Sequence, residues 1–119
     1  MNDHGLVYEP TIEIYSDVVC PWCYIGKRRL EGALNQLGQS SVQRRHRVTW
    51  RPFELNPTMP RSGMDRQVYL DAKFGGSEAL RSMQDRVAAV GAKEGIFFAF
   101  DRFRRPPNTF DAHRLICYA

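Results

Sequence analysis

From Thr11 to Tyr15 the chain alternates, with Ile12 and Ile14 on one side and Thr11, Glu13 and Tyr15 on the other. Alternation with β-branched residues in the majority predicts a strand. Ser16 and Asp17 begin the exit from it. Pro21 then suits the first turn of a helix, because its missing N–H is no loss there and its fixed φ is already helical. Leu30, Ala33, Leu34 and Leu37 recur at helical spacing up to Gly38, which predicts a helix over 21–37 closed by that glycine. Gly26 and Gly32 weaken it by up to ~1 kcal/mol each relative to Ala, so packing must hold it. After the polar stretch 39–45, Arg47, Thr49 and Arg51 alternate with Val48 and Trp50, a second strand that Pro52 ends or places at an edge. Strand, helix and strand in this order predict a parallel, right-handed βαβ unit over 11–56, preceded by a flexible polar tail, 1–10.

Pro57 and Pro60 punctuate a loop, after which helical spacing returns. Val68 and Ala72 are expected on the apolar face of a short helix closed by Gly75 and Gly76. Ser77 is placed to cap a longer one whose seam is Leu80, Met83, Val87 and Val90, ending at Gly91 or Gly95. Phe97, Phe98 and Phe100 form an aromatic run before a basic loop reaching Pro106 and Pro107. Asn108 or Thr109 is then placed to cap a last helix carrying Ala112, Leu115 and Ile116, with no stop signal before the end. Neither an internal repeat nor a low-complexity tract interrupts this order.

A chain of 119 residues has room for one domain. Its 43% hydrophobic and 25% charged residues exclude the disordered and fibrous classes. No run approaches the roughly 18 apolar residues of a membrane span. The start, Met-Asn-Asp-His-Gly, has no basic segment followed by an apolar one, so a cytoplasmic setting is the expectation. The net charge of +4 is mild, although all the cations except Lys27, Lys73 and Lys93 are arginines. Arg44, Arg45 and Arg47, and Arg102, Arg104 and Arg105, with Trp50, Phe100 and Phe103 among them, fit a solvated basic surface beside core aromatics. A phosphate backbone with stacked bases is the alternative, and the phenylalanines are also suited to line an apolar groove.

The sharpest signal is Cys20-Pro21-Trp22-Cys23, where the first strand hands over to the first helix. Two cysteines three apart at a helix start bring their sulfurs within bridging reach when the first lies just outside the helix and the second in its first turn. Unpaired N–H groups and the positive end of the helix dipole then favour a thiolate at the outer sulfur. Cys20 is thus expected to attack, below the free-thiol range of about 8.5, and Cys23 to resolve. Lys27, Arg28 and Arg29 add positive potential. A zinc half-site is the competing reading, but a structural zinc needs two more ligands, and His113 with Cys117 offers only a pair far along the chain. No metal is expected. Cys117 reads as a buried small hydrophobe, His113 as a helix-surface or network residue, and His46 as exposed. Asp17 is the exit residue of the strand or a proton acceptor near Cys23, the turn role being favoured.

The run Ile12-Glu-Ile-Tyr-Ser-Asp-Val-Val-Cys-Pro-Trp-Cys-Tyr-Ile-Gly-Lys-Arg-Arg-Leu-Glu31 closely resembles the opening of DsbA-like thioredoxin-fold oxidoreductases of the FrnE type. The similarity continues through Trp-Arg-Pro-Phe-Glu-Leu-Asn-Pro at 50–57, Lys-Phe-Gly at 73–75 and Pro-Asn-Thr-Phe-Asp-Ala-His-Arg-Leu at 107–115. It implies an α/β thioredoxin-like fold with a helical insertion beginning after residue 56, and dithiol–disulfide exchange by Cys20 and Cys23 supported by Asp17, Pro21 and Trp22. Proteins of this family run on for about another hundred residues, a normal length for α/β domains with an insertion. The resemblance therefore implies that 57–119 is the start of the insertion and that the chain is truncated inside it, without the β-hairpin and cis-proline loop that face the dithiol.

The resulting function is disulfide exchange with a protein or small-molecule thiol as substrate, no bound cofactor, glutathione as a possible redox partner, and a homo-oligomer as a possible assembly. Glutathione-dependent 2-hydroxychromene-2-carboxylate isomerases and kappa-class transferases of the same superfamily are the second enzyme reading, and the second cysteine argues against them. A basic nucleic-acid-binding module and an inactive fragment are the alternatives of other classes.

Overall fold

The computed structural model describes residues 10–38 and 46–119. The two strands are β1, Thr11–Ser16, and β2, Arg47–Pro52. They pair in parallel, with Ile12 opposite Val48 and Ile14 opposite Trp50. Between them runs α1, Pro21–Gly38. The crossover is the βαβ unit expected from the alternating and helical spacings, and Pro52 is the last residue of its strand rather than a break within it. The tail, 1–9, and the residues Arg44 and Arg45 of the first basic cluster lie outside the described residues.

Three helices follow: α2, Arg66–Phe74; α3, Ser77–Lys93; and α4, Phe110–Tyr118, with one 3-10 turn at Phe100–Arg102. The Asp65 carboxylate caps α2 by accepting the N–H groups of Gln67 and Val68. Gly75, at φ 69°, closes it in the left-handed conformation open to a residue without Cβ. Ser77 is the first residue inside α3 rather than its cap, since Gly76 holds that position. Asn108 rather than Thr109 offers a side chain to the head of α4, accepting the Phe110 N–H at 2.9 Å.

The core is small. Ile25 and Val87, each 1% exposed, meet Ile96, with Val90, Phe98 and Phe100 packed around them. Phe98 stacks on Phe100 at 5.3 Å and meets the edge of Tyr24 at 6.2 Å. Arg29 reaches Glu94 beyond the end of α3 at 3.0 Å. These contacts fix α1 from Ile25 onward, two residues past Cys23, so the head of the helix is held from the side away from the cysteines.

Two helix faces differ from the expected ones. In α2 the buried residue is Leu70, while Val68 is 56% exposed. In α4 it is His113, while Leu115 and Ile116 point outward. Loop hydrogen bonds help to hold both helices in place. Lys73 and Asn56 converge on the Tyr69 hydroxyl, Asn108 donates to the Met59 carbonyl at 2.6 Å, and Arg105 donates to the Ser62 carbonyl. The second basic cluster is therefore partly structural: Arg105 is bound to backbone, whereas Arg102 and Arg104 are exposed. His46, expected in solvent, is half-buried at the entry to β2.

Candidate active site

The turn after β1 is built on Asp17. Its backbone carbonyl accepts the Cys20 N–H at 3.1 Å, and the Cys20 carbonyl in turn accepts the Tyr24 N–H, closing the first turn of α1. Cys20 thus stands just outside the helix and Cys23 inside its first turn, as the proline at position 21 predicts. The backbone N–H of Cys23 donates to Cys20 Sγ at 3.3 Å. Both thiols are free and half-buried.

The electrostatics are divided between the two sulfurs. Burial pushes the Cys20 thiol up, with the thiol of Cys23 adding to that, while the backbone N–H groups of Cys23 and Trp22 pull it down; the net direction is upward. Burial also acts upward on Cys23, but hydrogen bonds from Cys20, the Asp17 backbone and the Ser16 side chain outweigh it and hold that thiol below its ordinary value. This departs from the expectation of a depressed thiol at Cys20 alone. The side-chain hydrogen bond between the two sulfurs raises Cys20 and lowers Cys23, so the two ionisations belong to the pair rather than to either thiol alone. Only Cys20 Sγ receives the helix-terminal amides, so those donors work on the outer sulfur.

The flanking cations contribute less than their spacing promises. Lys27 pairs with Glu31, Arg29 with Glu94, and Arg28 reaches the Tyr24 hydroxyl at 3.3 Å and lies over its ring. Exposed pairs of this kind are screened and leave little field at the thiols.

A cavity of about 410 Å³ opens beside the dithiol, walled by Val18, Tyr24, Trp50, Pro52, Ile116 and Cys117 as well as both cysteines. The walls are apolar. A second cavity of about 470 Å³, with Phe53, Glu54, Phe110 and Arg114 in its wall, meets the first at Pro52, His113 and Cys117. Trp22, expected to support the site, is 43% exposed, and neither cavity includes it. Cys117, expected to be buried packing, is exposed and stands at both cavities, because it lies in the last turn of α4 where the neighbouring side chains also face outward.

Asp17 does more than make the turn. Only 3% exposed, it accepts the Leu55 N–H through Oδ2 at 2.8 Å and meets His113 Nε2 through Oδ1 at 3.0 Å. His113, 7% exposed, is accordingly a network residue of the interior rather than of the helix surface. Sequence reasoning did not pair the two, which are 96 positions apart. The sequence signal was slight: one histidine within the last helical stretch, with no spacing that ties it to Asp17. Among the described residues no group of three or more His, Cys, Asp or Glu side chains is arranged to hold a metal ion, and no helix is long and apolar enough to cross a membrane.

The chain is similar to known proteins. Residues 11–119 match the DSBA-like thioredoxin domain. The crystal structure of a probable DsbA oxidoreductase from Streptomyces coelicolor is similar over 92% of this chain and 46% of that one, at 37% identity and a TM-score of 0.75. The uncharacterized protein YwbO of Bacillus subtilis is 43% identical over 47 residues, which are 40% of this chain and 20% of YwbO. The chain thus spans less than half the length of either relative. With the match extending from Thr11 to the last residue, and with a Cys-Pro-Trp-Cys helix head leaving a parallel strand pair, the chain belongs to the DSBA-like thioredoxin domain family and has its thioredoxin-like α/β fold.

Proposed function

We propose that the chain carries the reactive dithiol of a thiol–disulfide oxidoreductase, with Cys20 as the attacking and Cys23 as the resolving sulfur. The observation that carries this reading is Cys20 Sγ at the helix head, 3.3 Å from the Cys23 N–H and open to an apolar cavity. The Cys20 thiolate attacks a substrate disulfide, and one substrate sulfur leaves as a thiolate that takes up a proton. Cys23 then loses its proton and attacks Cys20 Sγ, closing the Cys20–Cys23 disulfide and releasing the second substrate thiol. Two electrons pass from the protein to the substrate, and the reverse sequence oxidises a substrate dithiol. Pro21 keeps the first turn free of a competing donor, and Asp17 anchors the turn that places Cys20. In the same reading, residues 11–56 are the thioredoxin-like unit and 57–119 belong to a helical insertion that supplies the outer wall of the cavity.

Equilibrating the intact protein in glutathione redox buffers and counting its thiols tests the proposal. Two-electron cycling of Cys20 with Cys23 is expected. A dithiol that stays reduced across the whole series, or forms only glutathione adducts, sinks it.

A further inference from the structure

The buried pair of Asp17 and His113 is not used by the exchange steps as written, and its placement beside the dithiol gives it a task. We infer that His113, acting through Asp17, sets the charge next to Cys23 and so the pH range over which the dithiol becomes nucleophilic. His113 is a positioning residue in this account, touching Asp17 rather than the reacting sulfurs, and the inference rests on the dithiol reading above.

The Asp17 side chain is 1% and that of His113 9% exposed, and both residues line the cavity that the two thiols open into. The Asp17 backbone hydrogen-bonds to Cys23, and its carboxylate charge opposes a thiolate there. With a neutral imidazole the pair carries one negative charge; with an imidazolium it carries none. An imidazolium at His113 therefore removes a repulsion from Cys23.

Other charges face this group from every side. From α1 come Cys20, Cys23 and Lys27; from β2, Arg51; from the loop after it, Glu54; from α4 itself, Arg114 and Cys117. Lys27 is paired with Glu31, Arg51 with Glu13 and Arg114 with Asp111, all at exposed positions. Solvent and salt screen such pairs, whereas the charge of a buried pair is felt at nearly full strength. The Asp17–His113 pair is buried beside the dithiol, whereas these other pairs are exposed.

The test reads chemistry without requiring turnover. Alkylation of Cys20 and Cys23 in the reduced intact protein by iodoacetamide is followed by mass mapping from about pH 5 to pH 9, spanning the interval in which histidine changes charge. His113→Gln keeps a donor toward Asp17 but cannot become a cation. The wild type should react about tenfold faster than this variant at the acid end, the effect of one pKa unit, and the two should converge at the alkaline end. Asp17→Asn lacks the carboxylate that opposes a thiolate at Cys23, so it should react faster than the wild type where the imidazole is neutral. A wild-type to His113→Gln ratio that is constant with pH, as a purely structural role would give, overturns the inference. So does an acid-side rate advantage of the wild type that survives unchanged in His113→Gln. Turnover of a disulfide peptide by the wild type judges the exchange reading separately, so the two can fail independently.

Discussion

Asp17 ties the site together: its turn carbonyl accepts from Cys20, one carboxylate oxygen accepts the Leu55 N–H and the other meets His113, and its backbone also reaches Cys23. Removing one partner of a buried ionic pair leaves the other unpaired, which costs about 3–5 kcal/mol. Asp17→Ala is therefore expected to lower the unfolding free energy read from urea melts by that much, while Glu31→Ala, which breaks an exposed pair with Lys27, should change it by less than about 1 kcal/mol. Equal effects would show that the buried pair has no special weight. The coupled ionisation of the dithiol makes a second forecast at this scale. Thiolate forms as pH rises, so with Cys23 held low and Cys20 pushed up, the absorbance of the reduced pair should climb in two steps on either side of the ordinary thiol range of about 8.5. A single step at that value contradicts it. Cys23→Ser should accumulate a mixed disulfide through Cys20, and Cys20→Ser should not; non-reducing gels in which both or neither do so would reverse or remove the assigned roles.

The elements divide by how locally they are specified. The first strand, the first helix and the second strand lie within a residue of the expected bounds, because alternation, a proline at a helix start and a glycine at its end act over neighbouring residues. The buried faces of α2 and α4 were not legible, since Val68 is as apolar as the buried Leu70 and the residue buried in α4 is a histidine, while hydrogen bonds to Tyr69, Ser62 and Met59 tie both helices to distant loops. This latching can be tested at Gly63. Its φ is 77°, and a Cβ there would stand 2.5 Å from the Pro106 carbonyl oxygen, which accepts the next N–H from Met64. Strain and backbone overlap act together, so Gly63→Ala should cost at least about 2 kcal/mol. It should also loosen α4 and with it the Asp17–His113 contact, seen as faster amide exchange at His113. Unchanged exchange with unchanged stability would show that the latch does not position the helix.

For the whole molecule, the balance of exposed and buried apolar surface is the deciding feature. Trp50, Phe53, Leu55, Phe110, Leu115 and Ile116 are all more than a third exposed, on the side of β2 and α4 that also holds the cavities. At about 25 cal/mol per Å², a few hundred Å² of such surface left wet forfeits several kcal/mol. A domain's whole stability is about 5–15 kcal/mol, so the loss is comparable with it. The 119 residues prepared by themselves should bind a hydrophobic dye strongly and sediment as more than a monomer. A dye-silent monomer with a sharp thermal transition would mean that this surface is less costly than its area suggests.

The sequence by itself determined what depends on near neighbours: the βαβ unit, the helix head that brings Cys20 and Cys23 together, and through several separated motifs the family. These follow from backbone periodicity, a fixed proline φ and a three-residue spacing, none of which needs the rest of the chain. Only the tertiary structure decided that Asp17 is paired with His113, that Cys117 and Trp50 stand at the dithiol's cavity, and that the cations after Cys23 are already partnered. Contacts across 96 positions depend on how α4 is latched to loops far from it in sequence. The ionisation of two neighbouring thiols likewise depends on burial and on every charge around them, quantities that have no value until the chain is folded.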